Sequence, residues 1–370
     1  MSEPSAYSSA GVDYEALDAG KRDALRLALG TSSLLQAHGA MPRDESRGEP
    51  AFVFELSGRA YGFVLEGLGT KSVIARQVHD ELGYNAFHDV AYDTVAAIVN
   101  DLICVGALPM VVNAYFATGA SEWYARRDRH EALLTGWREA CVDAGATWGG
   151  GESPSLPGLV AGDDIELAGA AIGAVPEHRR PVLGDDLEPG DDIVFVASSG
   201  LHANGSSLAR KVASELPQGY GTTLPSGRAF GEALLDRSLI YAPLVRALLQ
   251  SSTEIHYLSH ITGHGMLKLM RPRRALGYEI TRLPEVPEVL AFLVAHTAMS
   301  PSAAYSTFNM GAGFAVYCPS GQGAEVVALA EREGLSAHVA GTVTDGPRRV
   351  VLSEIDVVFE SDDMDLAPRD

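Results

Sequence analysis

Residues 63–72, FVLEGLGTKS, join an apolar, strand-like run to an acid, two glycines, a hydroxyl and a lysine. A magnesium–polyphosphate site needs a carboxylate, a cation and a backbone that can approach the ligand closely, as glycines allow. This stretch supplies all three. The spacing is not that of a Walker A loop, because Leu65 stands where the first glycine is needed and Thr70 directly precedes Lys71. Taken alone, the stretch fits an ordinary glycine turn as well as a ligand site.

The segment that follows, from about residue 86 to 105, is predicted to be a helix. Asp93, Asn100 and Asp101 lie seven and eight residues apart on it, about two turns, so they are expected to point in similar directions from an otherwise apolar segment. Burying a carboxylate in such apolar surroundings costs free energy unless the carboxylate is paired or bound to a cation. Bonding to neighbouring loops is the better interpretation for Asp93 alone, whereas the group together with Glu66 favours a Mg²⁺ site.

Three further stretches combine glycines with polar side chains. GGGES (149–153) puts Glu152 beside a flexible backbone, although a simple connector has the same composition. SSGLHANGSSLARK (198–211) places His202 and Asn204 where a helix begins, which favours an anion or substrate site over a helix-capping turn. TFNMGAG (307–313) puts Asn309 ahead of a glycine turn.

HYLSHITGHG (256–265) spaces three histidines four residues apart, at positions 256, 260 and 264. On one helix they could form a metal-binding face, but Thr-Gly interrupts the helical period and no acid is suitably placed. Three widely separated cysteines, Cys104, Cys141 and Cys318, indicate buried thiols and neither a zinc site nor a disulfide framework.

The bulk composition describes a globular protein. The chain has 370 residues, of which 46% are hydrophobic and 21% charged, enough for two domains. Neither a bilayer-spanning run nor a signal peptide is recognisable, so we expect a cytoplasmic protein without a membrane partner. The formal charge of −20, from 48 acidic and 28 basic residues, disfavours nucleic-acid binding but leaves small phosphorylated ligands possible.

A strand-like run, MVVNAYFAT (110–118), follows the first predicted helix, and the second half includes a helical segment expected near 228–250. Strand-like and helical segments thus mix in both halves, which predicts two α/β or α+β units. We divide the chain into an N-terminal arm (1–50), an N-terminal domain (51–178), a C-terminal domain (179–354) and an acidic tail (355–370). The boundary between the domains lies within the Pro-, Gly- and charge-rich run at 176–192, and the segment after Val358 is expected to be disordered.

These stretches together resemble the AIR synthetase (phosphoribosylformylglycinamidine cyclo-ligase) family of purine synthesis. The resemblance spans about residues 6 to 352. The matching motifs run in the family's order: AYSSAGVDYEA (6–16), EGLGTK (66–71), VNDLICVGALPMVVNAYFATG (99–119), GGGESPSLPG (149–158), SSGLHANGSSLARK (198–211), HITGHG (260–265) and TFNMGAG (307–313).

The resemblance implies a two-domain subunit, N-terminal domains paired through their sheets in a homodimer, and ATP near the dimer cleft. It also implies that ATP and Mg²⁺ activate the formyl amide oxygen of a ribonucleotide substrate, after which an amidine nitrogen closes an imidazole ring. By motif position, the implied metal ligands are Glu66, Asp93 and Asp101. The implied nucleotide contacts are Gly67, Gly69, Thr70, Lys71, Asn100, Gly150 and Glu152. The implied substrate contacts are Ser199, His202, Asn204, His260, Thr262 and Asn309, with His202, Lys71 and Asp101 as catalytic residues.

Several ligand-facing motifs depart from the family pattern. Residues 36–50 hold only Gly39 and Gly48 where a glycine-rich phosphate loop is expected, and Glu66 replaces an aspartate. The family's Gly-Gly-Gly-Phe-x-Glu-Asn reads GHGMLKL here (263–269), and Ser306 replaces an arginine. Two alternatives therefore stand beside the cyclo-ligase: a relative acting on another substrate, and a homologue that binds a nucleotide or metabolite without turnover.

Overall fold

The computed structural model describes residues 14–272 and 274–363. The helices are α1 (Tyr14–Leu29), α2 (Lys71–Leu82), α3 (Phe87–Ile103), α4 (Arg127–Ala144), α5 (Ser206–Glu215), α6 (Phe230–Leu234), α7 (Ala242–Gln250), α8 (Glu288–Thr297), α9 (Pro301–Tyr305) and α10 (Gly323–Arg332). The strands are β1 (Ala40–Arg43), β2 (Phe52–Leu56), β3 (Arg59–Gly67), β4 (Leu108–Thr118), β5 (Thr147–Glu152), β6 (Ile165–Ala174), β7 (Asp192–Ala197), β8 (Tyr257–His260), β9 (Leu276–Ile280), β10 (Ala312–Cys318), β11 (Ala337–Asp345), β12 (Arg349–Leu352) and β13 (Val357–Glu360). Short 3-10 helices, including Gly265–Met270, lie between them.

The first sheet has the strand order β1-β2-β3-β6-β4-β5, and its β4–β5 pair is parallel while the other pairs are antiparallel. Helix α3 packs on β3, β4 and β6, and α4 packs against α3. The two helices approach closely at Gly136, where a Cβ would lie 2.0 Å from the carbonyl oxygen of His88. Helices thus cover one face of this sheet. Exposed apolar side chains on its strands include Phe63, Leu65 and Met110.

The second sheet has the order β13-β12-β9-β11-β7-β10-β8, with β9 and β12 parallel. The Ile-Val-Phe-Val run of β7 (193–196) has no exposed surface, as expected for a strand that is covered on both faces. Helix α10 packs on β7 and β11, and α7 contacts both α10 and the first-domain helices α3 and α4. The predicted fold class, two α/β or α+β units, is confirmed.

Two predicted boundaries differ from the structure. Strand β1 pairs with β2, so residues 40–43 of the expected arm belong to the first sheet. Strand β13 pairs with β12, and its buried Val357 and Phe359 alternate with exposed residues. Residues 359 and 360, which were expected to be disordered, therefore belong to a strand, while residues 1–13 and 364–370 lie outside the described part of the chain. No described helix is long and apolar enough to cross a membrane.

Candidate functional site

A cleft with a cavity volume of about 270 Å³ lies between the two domains. The first domain contributes the loop that follows β3 and one face of α3, and the second contributes the start of α5 and the segment after β8. The lining residues are Glu66, Gly67, Leu68, Gly69, Thr70, Ala97, Asp101, Ala203, Asn204, Gly205, Ser206, Ser207, His260, Thr262 and Lys268. Eight of the sequence-predicted site residues therefore share one cleft: Glu66, Gly67, Gly69, Thr70, Asp101, Asn204, His260 and Thr262.

Two carboxylates and an imidazole form the polar centre of this cleft. Glu66 stands near the end of β3, and Asp101 projects from α3. Asp101 Oδ1 lies 2.6 Å from His260 Nδ1 at the end of β8, and both residues are buried. Because an ionised carboxylate can only accept, Nδ1 of His260 carries a proton in this pair. The Asp101–His260 pair therefore connects the two domains.

Burial and like charge act together on the acids of the cleft. Burial, followed by the charge of Asp101, raises the pKa of Glu66 to about 7, and Lys268 opposes the rise. Burial alone would favour protonated Asp101, but His260 and Lys268 lower its pKa below the ordinary value. Two carboxylates in one desolvated cleft cannot both ionise without cost. The arrangement is thus suited to a ligand that brings positive charge to them.

The loop before α5 is shaped for close approach to a ligand. Gly205 has a φ of 99°, and a Cβ there would lie 2.5 Å from the ring of Phe308, so only glycine fits. It is followed by the first turn of α5, whose N–H groups carry the positive end of the helix dipole. The hydroxyls of Thr70 and Ser207 are 3.0 Å apart across the cleft. This wall of the cleft is suited to an anionic group.

Lys71 and Asp93 do not line the cleft. Both side chains have no exposed surface, and Lys71 Nζ lies 2.5 Å from Asp93 Oδ2. Lys71 also donates to the carbonyl of Asp236 at 3.2 Å, and Asp93 accepts the Ser238 N–H at 2.6 Å. The sequence led us to expect that Lys71 contacts phosphate and that Asp93 binds the metal. In the structure each of these groups instead has its partner beneath the cleft.

Asn100 has a similar supporting role. It donates to the carbonyl of Leu239 at 2.8 Å and accepts the Tyr241 N–H at 2.9 Å, so Asn100 holds the segment 239–241 against α3. At about 100° per residue, Asn100 points within about 20° of Asp93, whereas Asp101 is rotated by about 80° from Asp93. The expectation that all three share one direction was wrong for Asp101, and that rotation brings Asp101 into the cleft.

Ser199 and Asn309 also form the framework of the second domain. Asn309 accepts from Ser198 Oγ at 2.8 Å and donates to the carbonyl of Gly200 at 2.9 Å. The Ser199 hydroxyl donates to the carbonyl of Arg237. These side chains fix the loop that leads to α5 and do not line the cleft.

His202 lies beneath the same loop in the left-handed region, with a φ of 58°. Its Nε2 accepts the Ser199 N–H at 3.2 Å, which places the ring proton on Nδ1. Burial, with the charges of His260 and Lys71, lowers the pKa of His202 well below its ordinary value. The imidazole is therefore neutral and buried, and it supports the loop without lining the cleft.

The neutral state of His202 predicts a pH-dependent stability. Below about pH 6.5 the unfolded chain takes up a proton that folded His202 does not, so the residue costs about 1.4 kcal/mol of stability per pH unit. His202→Asn removes this dependence while tolerating positive φ. Urea unfolding of both proteins between about pH 5 and 7.5 measures it; parallel stability profiles would contradict the assignment.

Gly150 and Glu152 lie outside the cleft. They belong to the exposed strand β5 at one edge of the first sheet, where Glu152 pairs with Tyr115.

The three histidines of 256–265 do not form a common metal-binding face. His256 Nδ1 lies 2.7 Å from Asp191 Oδ2, and His260 ends a strand. Among the described residues, no group of three or more His, Cys, Asp or Glu side chains is ready to hold a metal.

Sequence reasoning missed Lys268 and Ser207. Lys268 lies on the 3-10 helix Gly265–Met270 and lines the cleft opposite the first-domain acids. Burial and the nearby Arg271 lower its pKa to about 8, while Asp101 and Glu66 oppose the shift. The sequence feature that could have indicated Lys268 is a single charged residue within the apolar run MLKLM (266–270). Ser207 gave no comparable signal, since serines are common at helix starts.

The fold and the cleft define a two-domain α+β protein whose acidic, glycine-lined site lies between its domains. Residues 48–175 match the N-terminal domain, and residues 188–353 the C-terminal domain, of the AIR synthase related protein family. The chain belongs to this family.

Similar proteins cover nearly its whole length. It is 31% identical over 348 residues to a phosphoribosylformylglycinamidine cyclo-ligase of Methanobrevibacter smithii, covering 93% of this chain and 96% of that protein. It is 34% identical over 309 residues to the enzyme of that name from Methanothermobacter thermautotrophicus, covering 82% and 86%.

Solved structures share the fold at lower identity. The thiamine monophosphate kinase of Aquifex aeolicus aligns with a TM-score of 0.54 and 17% identity over 81% of this chain and 90% of its own. T. maritima PurL complexed with ADP aligns with a TM-score of 0.55 and 16% identity over 87% of this chain and 46% of its own.

Proposed function

We propose that the protein is an ATP-dependent cyclo-ligase that converts formylglycinamidine ribonucleotide into aminoimidazole ribonucleotide, ADP and phosphate. The observation that carries the proposal is similarity to cyclo-ligases over 93% of the chain. The cleft is consistent with it, because it combines a helix start and hydroxyls for phosphate with two acids for a cation. These relatives do not favour a changed substrate or a binding role without turnover.

ATP and Mg²⁺ fit different parts of the cleft. Mg²⁺ is commonly held by one or two carboxylates together with substrate phosphates, and Glu66 and Asp101 supply two carboxylates. Asp93 does not fit as a ligand, because it is paired with Lys71. A bound Mg²⁺ would neutralise charge on the phosphates. ADP in the structure of T. maritima PurL supports nucleotide binding by this fold.

The residues of this chain have distinct tasks in the proposed reaction. The first turn of α5 and the hydroxyls of Thr70 and Ser207 bind phosphate oxygens. Asp101 orients His260, whose Nε2 is available to form a hydrogen bond with the ribonucleotide. Asn204 and Thr262 line the cleft as neutral donors and acceptors for the same substrate. Holding the γ-phosphoryl group against the amide oxygen is the main catalytic requirement of such a transfer.

The test is ADP release by the purified protein with Mg-ATP, with and without formylglycinamidine ribonucleotide, together with an assay for aminoimidazole ribonucleotide. Substrate-dependent ADP in equal amount to the product supports the cyclo-ligase. ATP binding without substrate-dependent ADP or product contradicts it and supports one of the alternatives.

A homodimer through the open face of the first sheet also belongs to this proposal. Leu65 is 71% exposed, and Phe63 and Met110 are each 46% exposed on neighbouring parts of that sheet. Exposed apolar patches of this kind commonly mark protein interfaces. The edge strand β5 belongs to the same sheet, so Gly150 and Glu152 are candidates to reach a nucleotide at the dimer cleft. We also infer a cytoplasmic location, by analogy with soluble biosynthetic enzymes.

Leu65→Asp is expected to separate the dimer. Burying a carboxylate in an apolar interface costs several kcal/mol, which raises the dimer Kd by at least about a hundredfold. Leu159→Asp is the matched control, since Leu159 is 81% exposed on a loop outside the sheet. Light scattering coupled to size-exclusion chromatography measures the mass. A dimeric Leu65→Asp variant, or a monomeric wild-type protein, would contradict this interface.

A further inference from the structure

Lys268 has a rigid main chain in apolar surroundings. Its carbonyl accepts hydrogen bonds from the Ser259 hydroxyl at 3.2 Å and from the Arg271 N–H at 3.3 Å. Its neighbours Met266, Leu267, Leu269 and Met270 are buried, and Lys268 itself is 9% exposed. The little surface that it keeps lies on the cleft wall. The fold therefore holds Lys268 at the cleft wall.

The charge of Lys268 is incompletely compensated by the protein. Among the side chains of residues 19–272 and 274–362, no carboxylate forms an ion pair within 4.0 Å of its ammonium. Glu66 and Asp101 attract it across the cleft, while Arg271 repels it. Asp101 is already bonded to His260 at 2.6 Å. Burying a cation without a direct partner costs free energy, so the presence of Lys268 on the cleft wall points to a bound anion.

We propose that Lys268 binds a phosphate oxygen of the nucleotide. Its ammonium then supplies part of the positive charge that a divalent cation would otherwise have to supply in this cleft. This inference rests on the proposed function, since it takes ATP as the ligand. Because Lys268 lines the same cleft as Glu66 and Asp101, its ammonium would hold the phosphates together with a metal ion bound to the two acids. Lys268 thereby reduces the dependence of nucleotide affinity on Mg²⁺.

The test is calorimetric titration of the full-length protein with the β,γ-methylene analogue of ATP, in EDTA and across a series of Mg²⁺ concentrations. Lys268→Met is expected to raise the Kd by about ten- to hundredfold in EDTA, the range for a charged hydrogen bond. The increase should be smaller at saturating Mg²⁺. Lys21→Met removes one charge from the exposed side of α1 and is expected to leave the Kd unchanged.

Lys268→Gln provides a second variant with a polar side chain, and thermal unfolding verifies that each variant is folded. If both variants bind the analogue with the wild-type Kd at every Mg²⁺ concentration, the proposed role of Lys268 is overturned and the proposed function is left intact. A wild-type protein that fails to bind the analogue under every condition overturns the nucleotide site itself, and with it both proposals.

Discussion

Lys71→Met is expected to lower the free energy of unfolding by about 3–5 kcal/mol, because it leaves a buried carboxylate without its cation. Lys71 and Asp93 have no exposed surface, and their charged atoms are 2.5 Å apart. Burial raises the pKa of Asp93, and Lys71 opposes that rise. Without Lys71, folding must either bury an unpaired charge or protonate it. Urea unfolding followed by circular dichroism measures the loss.

A double variant distinguishes the loss of this ion pair from the loss of side-chain packing at Lys71. Lys71→Met combined with Asp93→Asn is expected to recover part of the lost stability, because neutral partners replace a desolvated ion pair. Arg127→Met is the control, since its pair with Glu131 is on the surface and contributes about 0.3–0.5 kcal/mol. If Lys71→Met kept full stability but lost nucleotide binding, Lys71 would contact phosphate, as the motif predicted.

Asp101→Asn is expected to lower kcat/KM for substrate-dependent ADP formation by at least about a hundredfold, because it removes one of the two carboxylates proposed to hold Mg²⁺. Asparagine keeps an oxygen that can accept from His260, so the connection between the domains is retained. The loss should therefore appear in activity and in the Mg²⁺ concentration required, with little change in stability.

Steady-state ADP release at several Mg²⁺ concentrations makes this measurement. Asp163→Asn provides the matched control, because Asp163 is 57% exposed in a surface pair with Arg126. An Asp101→Asn variant with wild-type kcat/KM at every Mg²⁺ concentration would show that Asp101 serves only to hold His260.

Local sequence patterns predicted the elements well. The helix expected at about 86–105 is α3 at Phe87–Ile103, and the strand-like run after it is part of β4. Both depend on hydrophobic periodicity, which neighbouring residues determine. The continuous helix expected at 228–250 was wrong, since α6 and α7 are separated by residues 235–241. That segment is held by Asp93 and Asn100 from the other domain, a contact that no local pattern contains.

The sequence by itself determined the mixed α+β class, the family resemblance and the loops that meet at the cleft, because each follows from nearby residues and ordered motifs. The tertiary structure decided which polar residues face a ligand. It placed Asp101 beside His260, buried Lys71 with Asp93, and brought Lys268 opposite Glu66. The physical reason is that the direction and burial of a side chain depend on elements distant in sequence, and an ionisable group is stable in the core only where such an element supplies its partner.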